Sequence, residues 1–265
     1  TGTDTINLSG SGKNLSVSGT TTLSANVTTS GTQTYSGAVT LTASPTLTSP
    51  SGTILFSSTV NGANALTITN SGGSNTGDVT FTGAVGGSTA LTGLAITTDV
   101  LTAAAIKSTG TLSITNTGTS SITGIVSNGA TALAVTKAGT GTLTLSATNT
   151  YTGATTINAG TLKLGDGASA TGSLTTSGIT NNATLVYDSS ADQTVSYNIG
   201  GTGVVEVIGR SRTLSFAGNT YLTTSAQTLL SSTSVIEAMY RLAGANMNGG
   251  AISVGQTPAG IYNAL

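Results

Sequence analysis

Short runs of alternating polar and apolar residues, broken by glycine- and asparagine-rich turns, constrain this chain more than any other feature. In 14–18, 111–115 and 142–146, Leu, Val or Ile occupies every second position, and Thr, Ser or Asn lies between them. A period of two places the apolar side chains on one face of a β-strand and the polar ones on the other. The sequence therefore predicts an all-β fold of many strands, each about 4 to 7 residues long with one buried face.

These segments also repeat. Residues 60–66 (VNGANAL) are echoed by 85–91 (VGGSTAL) and 127–133 (SNGATAL), and residues 34–41 (TYSGAVTL) by 150–157 (TYTGATTI). The spacing fits a unit of roughly 20 to 25 residues, which is the size of one turn, or rung, of a parallel β-solenoid. About 12 rungs would make a rod of roughly 55 to 60 Å. The alternative is an antiparallel β-sandwich, which also has short strands and glycine-rich turns.

One segment carries a family resemblance. Residues Gly139 to Gly165 read GTGTLTLSATNTYTGATTINAGTLKLG, and this run closely resembles the autotransporter-associated β-strand repeat of bacterial passenger domains. It departs at Ala147 and Thr148, where a Gly usually follows the Ser. More loosely, residues 31–136 resemble the repeats of large exoproteins and filamentous haemagglutinin-like adhesins. The resemblance implies a right-handed parallel β-helix, export through the outer membrane, and a rung that is structural rather than catalytic.

The C-terminal part of the sequence differs in character from the repeats. We divide the chain into solenoid repeats at 1–225 and a cap or contact segment at 226–265. Residues 234–243 have an apolar stripe at helical spacing, which predicts a short helix covering the last rung or contacting a partner. The candidate self-association or partner-contact residues on it are Ile236, Met239, Tyr240 and Leu242.

Composition excludes several kinds of site. The chain has no His, Cys or Trp, so Ser-His-Asp and Cys-His catalysis, thiolate or imidazole metal sites and disulfides are ruled out. A formal net charge of −1 gives no electrostatic basis for binding nucleic acid. No apolar run approaches the ~20 residues that span a bilayer, so we expect no membrane insertion by this segment. We also expect no enzymatic activity, no cofactor and no metal.

The strongest enzyme alternative rests on two carboxylates that are close in sequence, Asp188 and Asp192. Carboxylates about 5 to 9 Å apart could cleave a polysaccharide, as paired acids do in glycosidases. A polar turn between two strands is the simpler interpretation. Lys163 and Asp166 are similarly interpreted as a solvated pair at a turn.

Threonine-rich triplets suggest a different alternative. Thr-X-Thr occurs at 40–42, 46–48, 67–69 and 142–144, and flat rows of such triplets on a solenoid can order water or bind ice. Threonine also simply suits exposed strand positions. Because the triplets do not recur at one constant interval, the sequence disfavours a regular flat array and hence an ice-binding protein.

Charge patterning bears on assembly. No charged residue lies between Lys13 and Asp78, and uncharged strand edges favour further pairing. We therefore predict a secreted structural or adhesive rod at the bacterial cell surface or in the extracellular matrix. Its expected partners are itself, end to end or laterally in filaments, or glycans and proteins of a host or cell surface. An S-layer-like lattice protein is the remaining alternative.

Overall fold

The chain winds as a parallel β-solenoid. The computed structural model describes residues 6–72 and 77–209, with side chains through 208, and the backbone of strands at 214–216, 221–224, 228–232, 246–247 and 252–254. Two sheets of twelve strands each run along the molecule, and shorter sheets lie on a third side. The pairings between neighbouring strands are parallel throughout both large sheets. The solenoid prediction is therefore confirmed, and the antiparallel sandwich is wrong.

The strands divide among these three sides in a regular order. The first sheet contains β1 (Ile6–Leu8), β4 (Val27–Thr29), β7 (Thr46–Ser49), β10 (Ala65–Asn70), β12 (Gly93–Thr98), β15 (Thr111–Asn116), β18 (Ala134–Ala138), β20 (Thr155–Ile157), β22 (Gly178–Asn181), β25 (Asn198–Gly201), β28 (Tyr221–Thr224) and β30 (Asn246–Met247). The second sheet contains β2 (Leu15–Val17), β5 (Gln33–Tyr35), β8 (Ile54–Phe56), β11 (Val79–Phe81), β13 (Leu101–Ala103), β16 (Thr119–Ile122), β19 (Thr142–Leu145), β21 (Thr161–Leu164), β23 (Thr184–Tyr187), β26 (Val204–Gly209), β29 (Thr228–Ser232) and β31 (Ile252–Val254). The third side is formed by β3 (Thr21–Leu23), β6 (Val39–Leu41) and β9 (Val60–Asn61), by β14 (Ile106–Ser108) with β17 (Val126–Asn128), and by β24 (Gln193–Val195) with β27 (Leu214–Phe216).

The rungs stack in register although their lengths differ. Successive inner positions of the first sheet are Val27, Leu47, Ile68, Ile96 and Ile114, each paired with the next. All five side chains are buried and form an apolar column. The rung from Ile68 to Ile96 has 28 residues and that from Ile96 to Ile114 has 18. Loops therefore absorb the variation in length, and the strands keep their alignment.

Aromatic residues form part of the matching column in the second sheet. The rings of Tyr35 and Phe56 stack with centroids 5.0 Å apart, and those of Phe56 and Phe81 with centroids 4.8 Å apart. All three side chains are buried. Although aromatic residues are scarce in the sequence, the fold collects these three into one stack, and stacked rings contribute beyond the area that they bury.

Similar sequences take different places in the rungs. Tyr35 lies in β5 of the second sheet and is followed by β6 on the third side, whereas Tyr151 precedes β20 of the first sheet. In both copies a glycine follows closely, and a Cβ on Gly37 or Gly153 would lie 2.4 Å or 2.3 Å from backbone atoms of the preceding rung. The repeated motif thus encodes a tight corner but not the side of the solenoid on which that corner lies.

The predicted C-terminal helix at 234–243 lies outside the described residues, as do Ile236, Met239, Tyr240 and Leu242. Elsewhere in the 226–265 segment, β29, β30 and β31 extend the two large sheets. The division at residue 225 stays a prediction. No helix of the described residues has the length and apolar character that crossing a membrane requires.

Candidate functional site

The outward surface of the first sheet is an array of threonines, which we call the threonine face. Its first column is formed by Thr28, Thr48, Thr69, Thr97 and Thr115. Its second column is formed by Thr46, Thr67, Ala95, Ser113, Thr136, Thr156 and Thr180. Two of the predicted triplets, 46–48 and 67–69, thus lie directly against each other. Unequal intervals do not prevent these two triplets from stacking, because the loops take up the difference in length. The triplets at 40–42 and 142–144 do not join this array.

The hydroxyl groups of this face are available to a ligand or to solvent. Within the described part of the chain, the hydroxyls of Thr48, Thr69, Thr97 and Thr115 make no hydrogen bond to another residue, and each side chain is at least partly exposed. The inward hydroxyl of Thr29, by contrast, donates to the carbonyl of Gly31 at 2.7 Å. The face therefore presents hydroxyl groups that are free to bind solvent or a ligand at regular positions.

The second sheet presents a less uniform outer surface. One of its outer columns starts with Ser16, Thr34, Leu55 and Thr80 and continues with Thr102, Ser121 and Thr144. The same column then passes through Lys163, Val186 and Glu206. The predicted triplet 142–144 lies on this sheet, in β19, whereas Thr40 lies in β6 on the third side. Among the described residues, the threonine face carries no charged side chain in either column, so the two surfaces differ in charge.

Inside the solenoid, amide side chains satisfy the carbonyl groups of the corners. Asn70 Nδ2 donates to the carbonyls of Gly52 at 2.7 Å and Asp78 at 3.0 Å. Asn116 Nδ2 donates to those of Gly118 at 2.6 Å and Thr142 at 2.9 Å. Since a buried carbonyl without a donor is costly, these asparagines stabilise the turns between the two large sheets.

Lys137 also satisfies carbonyl groups of the corners, but with a charged side chain. The sequence analysis did not identify it as a core residue. It occupies an inner position of β18, and its side chain is fully buried. Its Nζ donates to the carbonyls of Ala138 at 2.6 Å, Gly139 at 2.9 Å and Ala159 at 3.2 Å. Burial lowers the pKa of this ammonium to about 8. The alternation in 134–138 places Lys137 on the same face as Val135, which is the signal that could have identified it.

The carboxylates of the enzyme alternative lie in different surroundings. Asp188 is buried, and its Oδ2 lies 2.7 Å from Nζ of Lys163. Asp192 is exposed in the loop that precedes β24. The predicted pair of Lys163 with Asp166 is therefore wrong, because Lys163 forms its ion pair with Asp188.

Asp166 instead organises its own loop. Its Oδ1 accepts backbone N–H groups of Ala168, Ser169 and Ala170 at 2.8 to 2.9 Å. These hydrogen bonds hold the pKa of this exposed carboxyl well below its usual range. Within the described ranges, His, Cys, Asp and Glu form no group of three or more that could hold a metal ion.

The segment that carries the resemblance occupies the strands of two successive rungs. It contains β19, β20 and β21 and directly follows β18. In these rungs β18 pairs with β20, as Val135 with Thr155, and β19 pairs with β21, as Leu143 with Leu162. At the corner between the rungs, the buried Asn149 accepts the N–H of Val126 through its Oδ1 at 2.9 Å. Asn149 of the motif thus ties this corner to the preceding rung.

Comparison with known proteins identifies this same segment. Residues 135–164 match the family model of the passenger-associated-transport-repeat. The match confirms the resemblance stated for Gly139 to Gly165, and together with the β-solenoid it fits the β-helix of an autotransporter passenger. No curated protein and no solved structure matches the chain.

Proposed function

We propose that this chain is a non-catalytic part of an autotransporter passenger, and that it acts as a stiff rod on, or released from, the bacterial cell surface. The observation that carries the proposal is the continuous parallel stacking of both large sheets, combined with a transport repeat within them. Strands that pair with both neighbours leave few ways for the stack to bend, so the rod resists deformation.

The rod's role is adhesive or fibre-forming. Its outer columns repeat the same polar groups from rung to rung, and repeated weak contacts add through avidity. The partners that suit such a surface are further copies of the chain, or glycans and proteins of a cell surface. The ion pair between Asp188 and Lys163 supports a structural role for that carboxylate and hence a non-catalytic function.

Electron microscopy of the purified chain over a concentration series, with fibre diffraction of any filaments, tests this proposal. We expect straight rods that associate as the concentration rises. Rods aligned along a filament give an axial repeat of about 4.8 Å in either mode of association, because this is the strand spacing within each rod. End-to-end filaments would be one rod wide, whereas lateral bundles would be several rods wide.

Separate rods require a second measurement, which is retention on immobilised host-cell glycans and surface proteins. Retention would support the adhesive role. Rods that neither associate nor bind these surfaces would overturn the adhesive and fibre-forming roles. Flexible or collapsed particles would overturn the rod itself.

A further inference from the structure

The two columns of the threonine face form a two-dimensional lattice. Neighbouring strands of a sheet lie about 4.8 Å apart, and positions i and i+2 of one strand about 6.6 Å apart. The five threonines from Thr28 to Thr115 therefore extend over about 19 Å in one column. In the rungs of Thr46 and Thr67, both columns carry threonine.

Close packing beneath this lattice holds its side chains in place. Between Thr46 and Thr48 the chain turns Leu47 inward, and the same holds for Ile68 and Ile96 in the next strands. Each of these apolar side chains is at most 2 % exposed. Interiors packed in this way are hardly compressible, so the strands above them keep the spacing of their outward side chains.

The chemistry of the lattice suits ordered water better than a charged or aromatic ligand. Each threonine offers a hydroxyl with no hydrogen bond to another described residue, and beside it a methyl group that limits where water can lie. Within the described residues no charged side chain interrupts the columns, so no strongly hydrated ion disturbs the water above them.

We propose that the threonine face binds ice. Water molecules in hexagonal ice form rows whose two repeats are similar in size to the strand spacing and the i to i+2 spacing. Water held in the troughs between the threonine columns would occupy positions that continue those rows, so the face would adsorb to a growing crystal. This activity does not depend on the rod function, because a single face on a single copy suffices for it.

The test measures inhibition of ice recrystallisation and thermal hysteresis with the purified full chain. The test variant is Thr69→Lys/Thr97→Lys, which puts two ammonium groups on adjacent rungs of the face. The matched control is Thr80→Lys/Thr102→Lys, which makes the same change on adjacent rungs of the second sheet. Circular dichroism and melting curves establish that both variants keep the β-solenoid.

We expect the wild-type chain and the second-sheet variant to inhibit recrystallisation and to show hysteresis, and the threonine-face variant to lose both. A wild-type chain without either activity would overturn the proposal. So would equal loss in both folded variants, or full activity in the threonine-face variant.

If this face instead mediates dimerisation or adsorption to crystalline cellulose while ice growth is unaffected, the ligand is a second copy or a polysaccharide and the proposal fails. Rods seen by microscopy would leave the proposed function intact in each case.

Discussion

At the residue scale, a lysine lies in an otherwise largely apolar column, between Ile114 and Ile157. Its stem packs in the core, and its ammonium satisfies three carbonyl groups of two successive corners. Removing a charge from water is costly, and the hydrogen bonds offset only part of that cost. The part of this desolvation cost that the hydrogen bonds do not offset lowers the pKa of Lys137 to about 8.

This pKa predicts that the chain becomes more stable as the pH rises from about 8 to about 10. The folded chain releases the Lys137 proton near pH 8, whereas an unfolded chain holds it until about 10.5. Between these values the unfolded state binds more protons, so the free energy of unfolding increases with pH, by on the order of 2 kcal/mol in all. Urea denaturation at each pH measures it.

Tyrosine ionisation limits this gain in stability at high pH. Burial raises the pKa of Tyr35 and Tyr151 above the ordinary value of 10.0, so ionisation of the unfolded chain opposes the gain above about pH 10.

The variant Lys137→Met should lack the rise in stability between pH 8 and 10. Lys107→Met, which leaves Lys137 in place, should keep it. A flat profile for the wild type, or a rise in Lys137→Met, would contradict the assignment.

At the element scale, the turns between strands of the two large sheets depend on glycines that no other residue replaces easily. Gly139 and Gly160 both have positive φ, at 74° and 68°, and follow the equivalent strands β18 and β20. A Cβ on Gly160 would lie 2.4 Å from the carbonyl oxygens of Gly139 and Gly141 and 2.9 Å from Nζ of Lys137. The corner is therefore too close to the preceding rung for a side chain.

Gly160→Ala is accordingly expected to destabilise the chain by more than about 2 kcal/mol, through the positive φ and the backbone clash together. The matched control is Gly19→Ala, because a Cβ there meets no atom within 4 Å. Its effect should stay within about 0.5 kcal/mol. Equal urea midpoints for the two variants would show that the corner relaxes.

At the scale of the whole molecule, each rung contacts mainly the rungs above and below it. Stability in such an array is a sum of rung and interface terms, so damage in one place spreads only to neighbours. The aromatic stack is a suitable place for a test, since Phe56 contacts a ring on each side.

We expect Phe56→Ala to cost about 3 to 5 kcal/mol locally. Hydrogen exchange should speed up in β5, β8 and β11. It should stay unchanged in β19 and β21, which lie four and five strands beyond β8 in the second sheet. Leu55→Ala, on the outer side of the same strand, is the control and should change little. Uniform loss of protection would instead mean that the rod unfolds as one unit.

Local pattern was enough to predict much of the fold. Alternation predicted strands such as Thr111–Asn116 and Thr142–Leu145, and the repeats predicted that like strands stack. The resemblance at Gly139 to Gly165 was also readable, because a corner motif such as Asn149 to Gly153 is contiguous in the chain. The threonine face was not predicted, since its columns join residues from rungs of unequal length.

The sequence by itself thus determined the type of secondary structure, the positions of tight corners and the repeat family that one segment matches. Each of these depends on residues that are close together along the chain. The tertiary structure decided the register, which depends on packing between rungs. That packing sets Thr69 against Thr97, 28 residues away, and places similar motifs at Tyr35 and Tyr151 on different sides. It also buries Lys137 at a core position, because only the stacked corners bring together the carbonyls that its ammonium needs.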